Sequence, residues 1–383
     1  MKKVLVINTK YKNYGGEDSN FDEEIKFLKK FYEVDYINFD NAKNLNIYDL
    51  ISFFTLSNPA SNKALKIKVD TFKPDIVYIH NTWFKANLGI FNLLKKENIK
   101  VVLKIHNFRF ACTDTFSASK HFIGKDFCFK CGNKKTRISL FNKYFGNSFI
   151  KSFFVVMYGK RYINILRDYN LKIIALNQFC KDYLIKKGVN EDKVFKNYNP
   201  FEISEGYKYS ADSEYVVYAG SLTEQKGVKD LLESWKESKI NLRLLVIGSG
   251  QLENEITNKY SSKNIEFLGF LENNKTKDII RQARAVITAT KIFEGQPRLI
   301  TEASAYGVPS IYPSFGGLDE YFPDDYKLSF KQYDYSDLVK KILFLEDKKL
   351  LNEESNKIYN HTIENMSMNI LYKNLEYIFN SNE

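Results

Sequence analysis

Long apolar runs are missing from this chain. Its 383 residues hold no stretch of about 18 uncharged apolar residues, so none reads as a membrane-spanning helix. The start, Met-Lys-Lys-Val-Leu-Val-Ile-Asn, is a strand pattern too short for a signal-peptide core, and a cytoplasmic location is expected. Low-complexity tracts are absent as well. Aromatic residues make up 15% of the chain, so sizeable cores can be buried. Cysteine is scarce, with four residues, and a disulfide is disfavoured in the cytoplasm. The G-x-G-x-x-G dinucleotide fingerprint is lacking, and so is any strict Asp-x-Asp metal clamp. The length exceeds that at which one hydrophobic core stops growing, so two domains are expected, 1–200 and 201–383.

What is present is an uneven charge. Over Met1 to Pro200, Lys and Arg outnumber Asp and Glu by 35 to 18; over the remainder they are outnumbered, 22 to 28. A basic half joined to a mildly acidic half suggests a face that meets an anionic surface, either membrane headgroups or nucleic acid. From Lys134 to Arg167 the basic residues Lys134, Lys135, Arg137, Lys143, Lys151, Lys160, Arg161 and Arg167 precede a single acid, Asp168, and interleaved with them are Phe141, Tyr144, Phe145, Phe149, Phe153, Phe154 and Tyr158. Cations and aromatics together suit a membrane surface, each basic group near an anionic leaflet contributing about 1 kcal/mol. No nucleic-acid module accompanies them, so membrane contact is preferred and no nucleic acid is expected. An ordinary helix with lysines outward and aromatics inward is the plain alternative.

The first half alternates strand and helix, the rhythm of a parallel sheet whose ligands gather at the carboxyl ends of its strands. Lys3 to Asn8 is a strand, followed by a loop with Gly15 and Gly16 and a helix carrying Phe21, Ile25 and Leu28. Two later strands end in His-Asn, at His80-Asn81 and His106-Asn107. A histidine there faces a crevice rather than a core. His106 is read as functional, while His80 fits either reading. Cys128-x2-Cys131 has metal-ligand spacing; Cys112 could add a third thiolate and His121 a fourth ligand. Reduced thiols packing a loop are preferred over a structural zinc.

The second half repeats the rhythm. Tyr215 to Gly220 is a strand, Ser221 to Val228 a glycine-containing loop, and a helix runs from Lys229; Leu242 to Ile247, Asn264 to Gly269 and Ala285 to Ala289 are further strands. The richest stretch is Glu294-Gly-Gln-Pro-Arg-Leu-Ile-Thr-Glu302-Ala-Ser-Ala-Tyr-Gly-Val-Pro309. It describes a turn feeding a helix, with Pro297 at the first helical position and Gly307 and Pro309 at the end. Unpaired N–H groups at the helix start favour an anion, giving a phosphate seat flanked by two carboxylates.

This arrangement resembles the Glu-x7-Glu signature of retaining glycosyltransferases of family 4, enzymes of the GT-B fold that use nucleotide sugars. The resemblance extends over Pro74-Asp-Ile-Val-Tyr-Ile-His80, Ile105-His-Asn-Phe-Arg109, the Gly220 to Gly227 loop and Gly316-Gly-Leu-Asp-Glu320. It implies an α/β architecture of two Rossmann-like doubly wound domains facing across a cleft, acceptor on the first and donor on the second, with the last helix crossing back to the first. It also implies that Glu294 lies beside the transferred sugar, Glu302 holds the ribose hydroxyls and Lys226 clamps the donor diphosphate. Gly220, Ser221, Gly295, Gln296, Pro297 and Leu299 would line the donor; Gly15, Gly16, His106, Asn107, Gly316 and Gly317 would line the cleft, His106 as a catalytic group. Ser221 stands where the family has Arg, and a hydroxyl cannot supply a bidentate cationic fork. Arg298 is expected to compensate.

The reading is a retaining, metal-independent glycosyltransferase. It would move a sugar from a UDP- or GDP-sugar to a saccharide or lipid-linked acceptor in bacterial capsule, lipopolysaccharide or other cell-surface glycan synthesis. No cofactor is expected, and the protein would be cytoplasmic, peripheral on the inner membrane face. The alternatives are a nucleotide-sugar epimerase of the same fold and a non-catalytic nucleotide-sugar or nucleic-acid binding protein.

Overall fold

The computed structural model describes residues 1–10, 16–41, 49, 52, 55–108, 148–203 and 209–381. Gly15, Cys112, His121, Cys128, Cys131 and the basic residues from Lys134 to Lys143 lie outside the described residues. The chain divides into two compact units, Met1–Pro200 with Leu371–Glu383, and Phe201–Ile370.

Unit 1 is built on a six-stranded parallel sheet of β1 (Lys3–Lys10), β2 (Glu33–Asp40), β3 (Ile76–Ile79), β4 (Lys100–Ile105), β5 (Lys172–Ala175) and β6 (Val194–Lys196), in the order β2-β1-β3-β4-β5-β6. Val4, Leu5, Val6 and Ile7 are fully buried, as unbroken aliphatic runs are in a parallel sheet covered on both faces. The covering helices are α1 (Gly16–Leu28), α2 (Pro59–Phe72), α3 (Gly89–Lys96), α4 (Phe149–Asp168) and α5 (Gln178–Lys186). Phe21, Ile25 and Leu28 turn inward from α1. Local chemistry sets the bounds of α2: the Asn58 side chain accepts from the N–H groups of Ala60 and Ser61, Pro59 opens the helix, and Lys73 closes it in the left-handed region at φ 52°.

Unit 2 repeats the plan with β7 (Tyr215–Ala219), α6 (Val228–Ser238), β8 (Arg243–Ile247), α7 (Glu253–Tyr260), β9 (Ile265–Gly269), α8 (Asn273–Arg281), β10 (Ala285–Ile287), α9 (Arg298–Ala305), β11 (Ser310–Ser314), β12 (Ser329–Lys331), α10 (Tyr335–Leu343) and α11 (Lys348–Met366). Its order is β12-β11-β10-β7-β8-β9, all parallel. The last helix, α12 (Met368–Asn380), leaves unit 2 and packs on unit 1, where Leu371, Leu375, Ile378 and Phe379 are buried. There Tyr372 stacks on Phe31 at 3.9 Å between centroids, and the ammonium groups of Lys100 and Lys172 donate to the carbonyls of Phe379 and Ile378 at 2.8 and 2.9 Å. Those lysines close the end of the helix, whose last carbonyls have no partner within it.

Each sheet has one point where its strand order reverses, between β1 and β3 in unit 1 and between β7 and β10 in unit 2. A crevice opens at such a point beyond the carboxyl ends of the strands.

Candidate active site

In unit 2 the loops that follow β7 and β10 meet at that reversal. Ala289, just past β10, approaches the loop after β7 so closely that a Cβ on Gly227 would lie 1.9 Å from its carbonyl oxygen; Gly227 also has φ 65°. Only glycine satisfies both demands. The Lys291 N–H donates to the Gln225 carbonyl at 2.9 Å, and its ammonium pairs with Asp230 at 2.6 Å and Glu224 at 3.1 Å. So joined, the two loops bring the ammonium of Lys226 onto Glu294 Oε1, which also accepts from the Thr290 hydroxyl at 3.2 Å. Both partners are largely buried, with side chains 28% and 17% exposed, which shields the pair from solvent screening.

Helix α9 begins immediately after this pair. Pro297 is not its first residue but the residue that caps it, at φ −75° and ψ 114°. Its carbonyl accepts the first intrahelical bond, from the Thr301 N–H at 3.2 Å. A fixed φ suits either position, so the shift of one residue leaves the geometry of the turn intact. No side chain caps the helix start, and its first N–H groups retain the positive end of the helix dipole. One turn along, Glu302 Oε1 accepts from the Arg298 guanidinium and has the Lys277 ammonium 3.8 Å away. The far end closes as expected, with Gly307 at φ 65° and the Val308 N–H donating back to the Ala303 carbonyl at 2.9 Å.

A third loop leans on the same place. Gly316 and Gly317 have φ 62° and 88°, and a Cβ on Gly316 would strike the Phe293 ring at 2.3 Å. The Tyr321 hydroxyl donates to the Gly295 carbonyl at 2.5 Å, pinning the residue after Glu294. Gly220 and Ser221 follow β7; Ser221 is exposed, and its carbonyl accepts from the Tyr218 hydroxyl at 3.0 Å. Burial, and next the charge of Glu294, raise the Tyr218 pKa, so that phenol stays protonated. Gln296 and Leu299 are half-buried beside these groups in sequence. The structure thus gathers Lys226, Glu294, Gly295, Arg298, Glu302 and Gly316 around one loop cluster.

In unit 1, His80 and His106 follow β3 and β4, which are parallel neighbours. Their rings stack 5.0 Å apart, with His80 Nδ1 2.9 Å from His106 Nε2. Behind them lies a buried ion pair, Lys104 to Glu24 of α1 at 2.8 Å; the Tyr78 hydroxyl donates to the same carboxylate at 3.1 Å. Burial first, then the Lys104 charge, push the His106 pKa down to about 3. Burial, then His106 and Lys104, hold His80 well below its ordinary value. Asn107 is half-buried next to His106, and Gly16 opens α1. Among the described residues no group of three His, Cys, Asp or Glu side chains is placed to hold a metal ion.

Thr290, Lys277, Tyr321, Glu24 and Lys104 were not distinguishable as site residues in the sequence. Each acts through a partner at least 25 positions away, Thr290 excepted, and Thr290 lies in a loop without motif.

Residues 201–365 match the family model described as glycosyl transferases group 1. Among curated proteins, the amylovoran biosynthesis glycosyltransferase AmsD of Erwinia amylovora is 28% identical over 149 residues, 37% of this chain and 42% of that protein. The lipopolysaccharide 1,6-galactosyltransferase of Escherichia coli K12 is 28% identical over 155 residues, 38% of this chain and 42% of that protein. The chain thus spans less than half the length of these two relatives. Among solved structures, HepE of Anabaena, determined in complex with UDP and glucose, superposes with a TM-score of 0.69 at 14% identity over 99% of both chains. That likeness establishes the architecture as GT-B, with two Rossmann-like units.

Proposed function

We propose that this chain, whose second unit belongs to glycosyl transferases group 1, transfers a sugar from a nucleotide-sugar donor to a saccharide or lipid-linked acceptor in the assembly of a cell-surface glycan. The observation that carries the proposal is the convergence, at the β7–β10 reversal, of Lys226, Glu294 and the uncapped start of α9, with Glu302 one turn further on. Breaking a sugar–diphosphate bond builds negative charge on the leaving phosphate and positive charge on the ring. Lys226 and the N–H groups at the head of α9 would stabilise the first, and Glu294 would face the second. A diphosphate would compete with Glu294 for Lys226, so donor arrival would free the Glu294 carboxylate toward the sugar. Glu302, held between Arg298 and Lys277, would accept the ribose hydroxyls. Retention without a protein nucleophile is favoured because the roles leave no second carboxylate to attack the anomeric carbon. Metal independence is favoured because the chain has no Asp-x-Asp clamp and supplies a lysine and a helix start instead.

UDP-sugars are the first donors to try, since HepE was solved with UDP-glucose. For the acceptor, α4 exposes Phe149, Ile150, Phe153 and Met157 and carries Lys160, Arg161 and Arg167 further along. It also lines an apolar cavity of about 110 Å³ with Leu56, Trp83 and Phe84. Both features suit a lipid-linked acceptor at an anionic membrane surface. The deciding experiment incubates the purified chain, with chelator and without acceptor, against UDP-, GDP-, ADP- and CMP-sugars. One donor that raises the melting temperature and is slowly hydrolysed with release of the retained anomer supports the reading. No response to any donor, with or without an acceptor lipid extract, would reject it.

A further inference from the structure

We infer that His80 is a positioning residue for His106, locking the His106 ring in one orientation and one tautomer. The catalytic part of this inference rests on the proposed function; the tautomer part does not.

Ile79 and Leu103 are partners across β3 and β4, so the residues that follow them leave the sheet side by side. Side chains alternate along a strand, which puts Tyr78 and His80 on one face of β3 and Lys104 and His106 on one face of β4. The contacts agree that it is the same face: Tyr78 and Lys104 both reach Glu24 of α1. The two imidazoles form the outer end of this buried polar layer. Phe21 and Tyr78 set their ring edges against His80 at 5.8 and 4.7 Å, which leaves its ring little freedom.

The hydrogen count then restricts the pair. A neutral imidazole carries one N–H, so two neutral rings share two hydrogens among four nitrogens. Burial and the Lys104 cation keep both rings neutral. One hydrogen must sit between His80 Nδ1 and His106 Nε2, because at 2.9 Å two lone pairs or two N–H groups facing each other would repel. If His80 donates, both rings are Nδ1–H; if His106 donates, both are Nε2–H. Mixed tautomers are excluded. The outer nitrogens, His80 Nε2 and His106 Nδ1, are buried and have no partner among the described residues. One of them is therefore a bare acceptor and the other a donor, and the shared bond decides which. His106 meets a substrate hydroxyl or phosphate oxygen with a defined polarity only while His80 holds its other side.

The test is two-bond 15N–1H correlation spectroscopy of the full chain, with the rings assigned from His80→Asn and His106→Asn spectra. The expected result is two rings protonated on the same-named nitrogen, with shifts constant from pH 6 to 8. Opposite tautomers, or averaging of both forms in either ring, would overturn the inference. Turnover supplies the second arm. His80→Phe keeps the ring and removes the bond, and should scramble the His106 tautomer and lower kcat about tenfold, the equivalent of one hydrogen bond, with donor KM unchanged. His80→Asn, whose amide nitrogen reaches the place of Nδ1, should restore most of both. Matched tautomers with an unchanged kcat in a folded His80→Phe chain would remove the catalytic role. Matched tautomers with no turnover by the wild-type chain would reject the proposed function instead.

Discussion

At the scale of single residues, the candidate site pairs each of two carboxylates with a cation. Glu294 is bound by Lys226 and Thr290, and Glu302 by Arg298 with Lys277 close by. On the proposed role of Glu294, facing the developing ring charge rather than the nucleotide, Glu294→Gln should lower kcat by about 10²- to 10³-fold while donor affinity, read by calorimetry, stays within a few fold. Arg298 behaves differently. Its guanidinium bonds Glu302 one helical turn away, so Arg298→Ala should loosen the carboxylate proposed to hold the ribose as well as remove a cation from the head of α9. A charge-assisted bond contributes about 1.5–3 kcal/mol, so donor binding should weaken roughly ten- to hundredfold. Unchanged affinity would separate Arg298 from the donor and leave the Ser221 position without a substitute.

At the scale of elements, the strands with unbroken aliphatic runs were legible in the sequence, because burial on both faces of a parallel sheet leaves a compositional mark. β1 and β8 are examples, found within two residues of their ends. β11 and β12 were not legible. β12 has three residues, too few for any period, and Pro313 argues against a strand at β11; in the fold, β10 pairs only with Ser310 and Ile311, so the missing N–H of Pro313 interrupts nothing on that side. The same limit applied to the site. Each histidine was visible at its strand end, but their contact depends on the register of two strands and on Glu24 far upstream. That layer has a measurable cost in acid. Both histidines are held below the ordinary 6.5, His106 at about 3. Between about 3 and 6.5 the unfolded chain therefore binds protons that the folded chain refuses, and stability should fall as pH drops through that window. Urea melts of unit 1 at pH 7 and pH 5 would register the loss, and His80→Phe should shrink it. Helix α4 gives an independent element-level prediction. Replacing Ile150 and Phe153, 68% and 50% exposed, with Ser should reduce sedimentation with vesicles rich in anionic lipid without lowering the melting temperature. No helix among the described residues is long and apolar enough to cross a membrane.

At the scale of the whole molecule, the chain enters unit 2 at Phe201 and returns to unit 1 at Leu371. The returning helix fills a gap over β3 and the α1–β2 turn: Phe379 packs on Tyr78 and Tyr32, and the Asn197 amide donates to the Leu371 carbonyl at 3.2 Å. Four of its apolar side chains are buried, each contributing about 1.5–3 kcal/mol. Ending the chain at Ile370 should therefore remove a stabilisation comparable to that of an entire domain. Scanning calorimetry should then show the unit 1 transition lost and the unit 2 transition kept. The same connectivity sets an order of events on the ribosome. Unit 2 is made without interruption and can close as soon as it emerges, although it is synthesised second. Unit 1, begun first, waits through the synthesis of its neighbour with Tyr78 and the Lys172 ammonium lacking their contacts to α12, and is completed only by residues 371–383. The early half of this protein is thus closed by a segment made late, after the whole of unit 2.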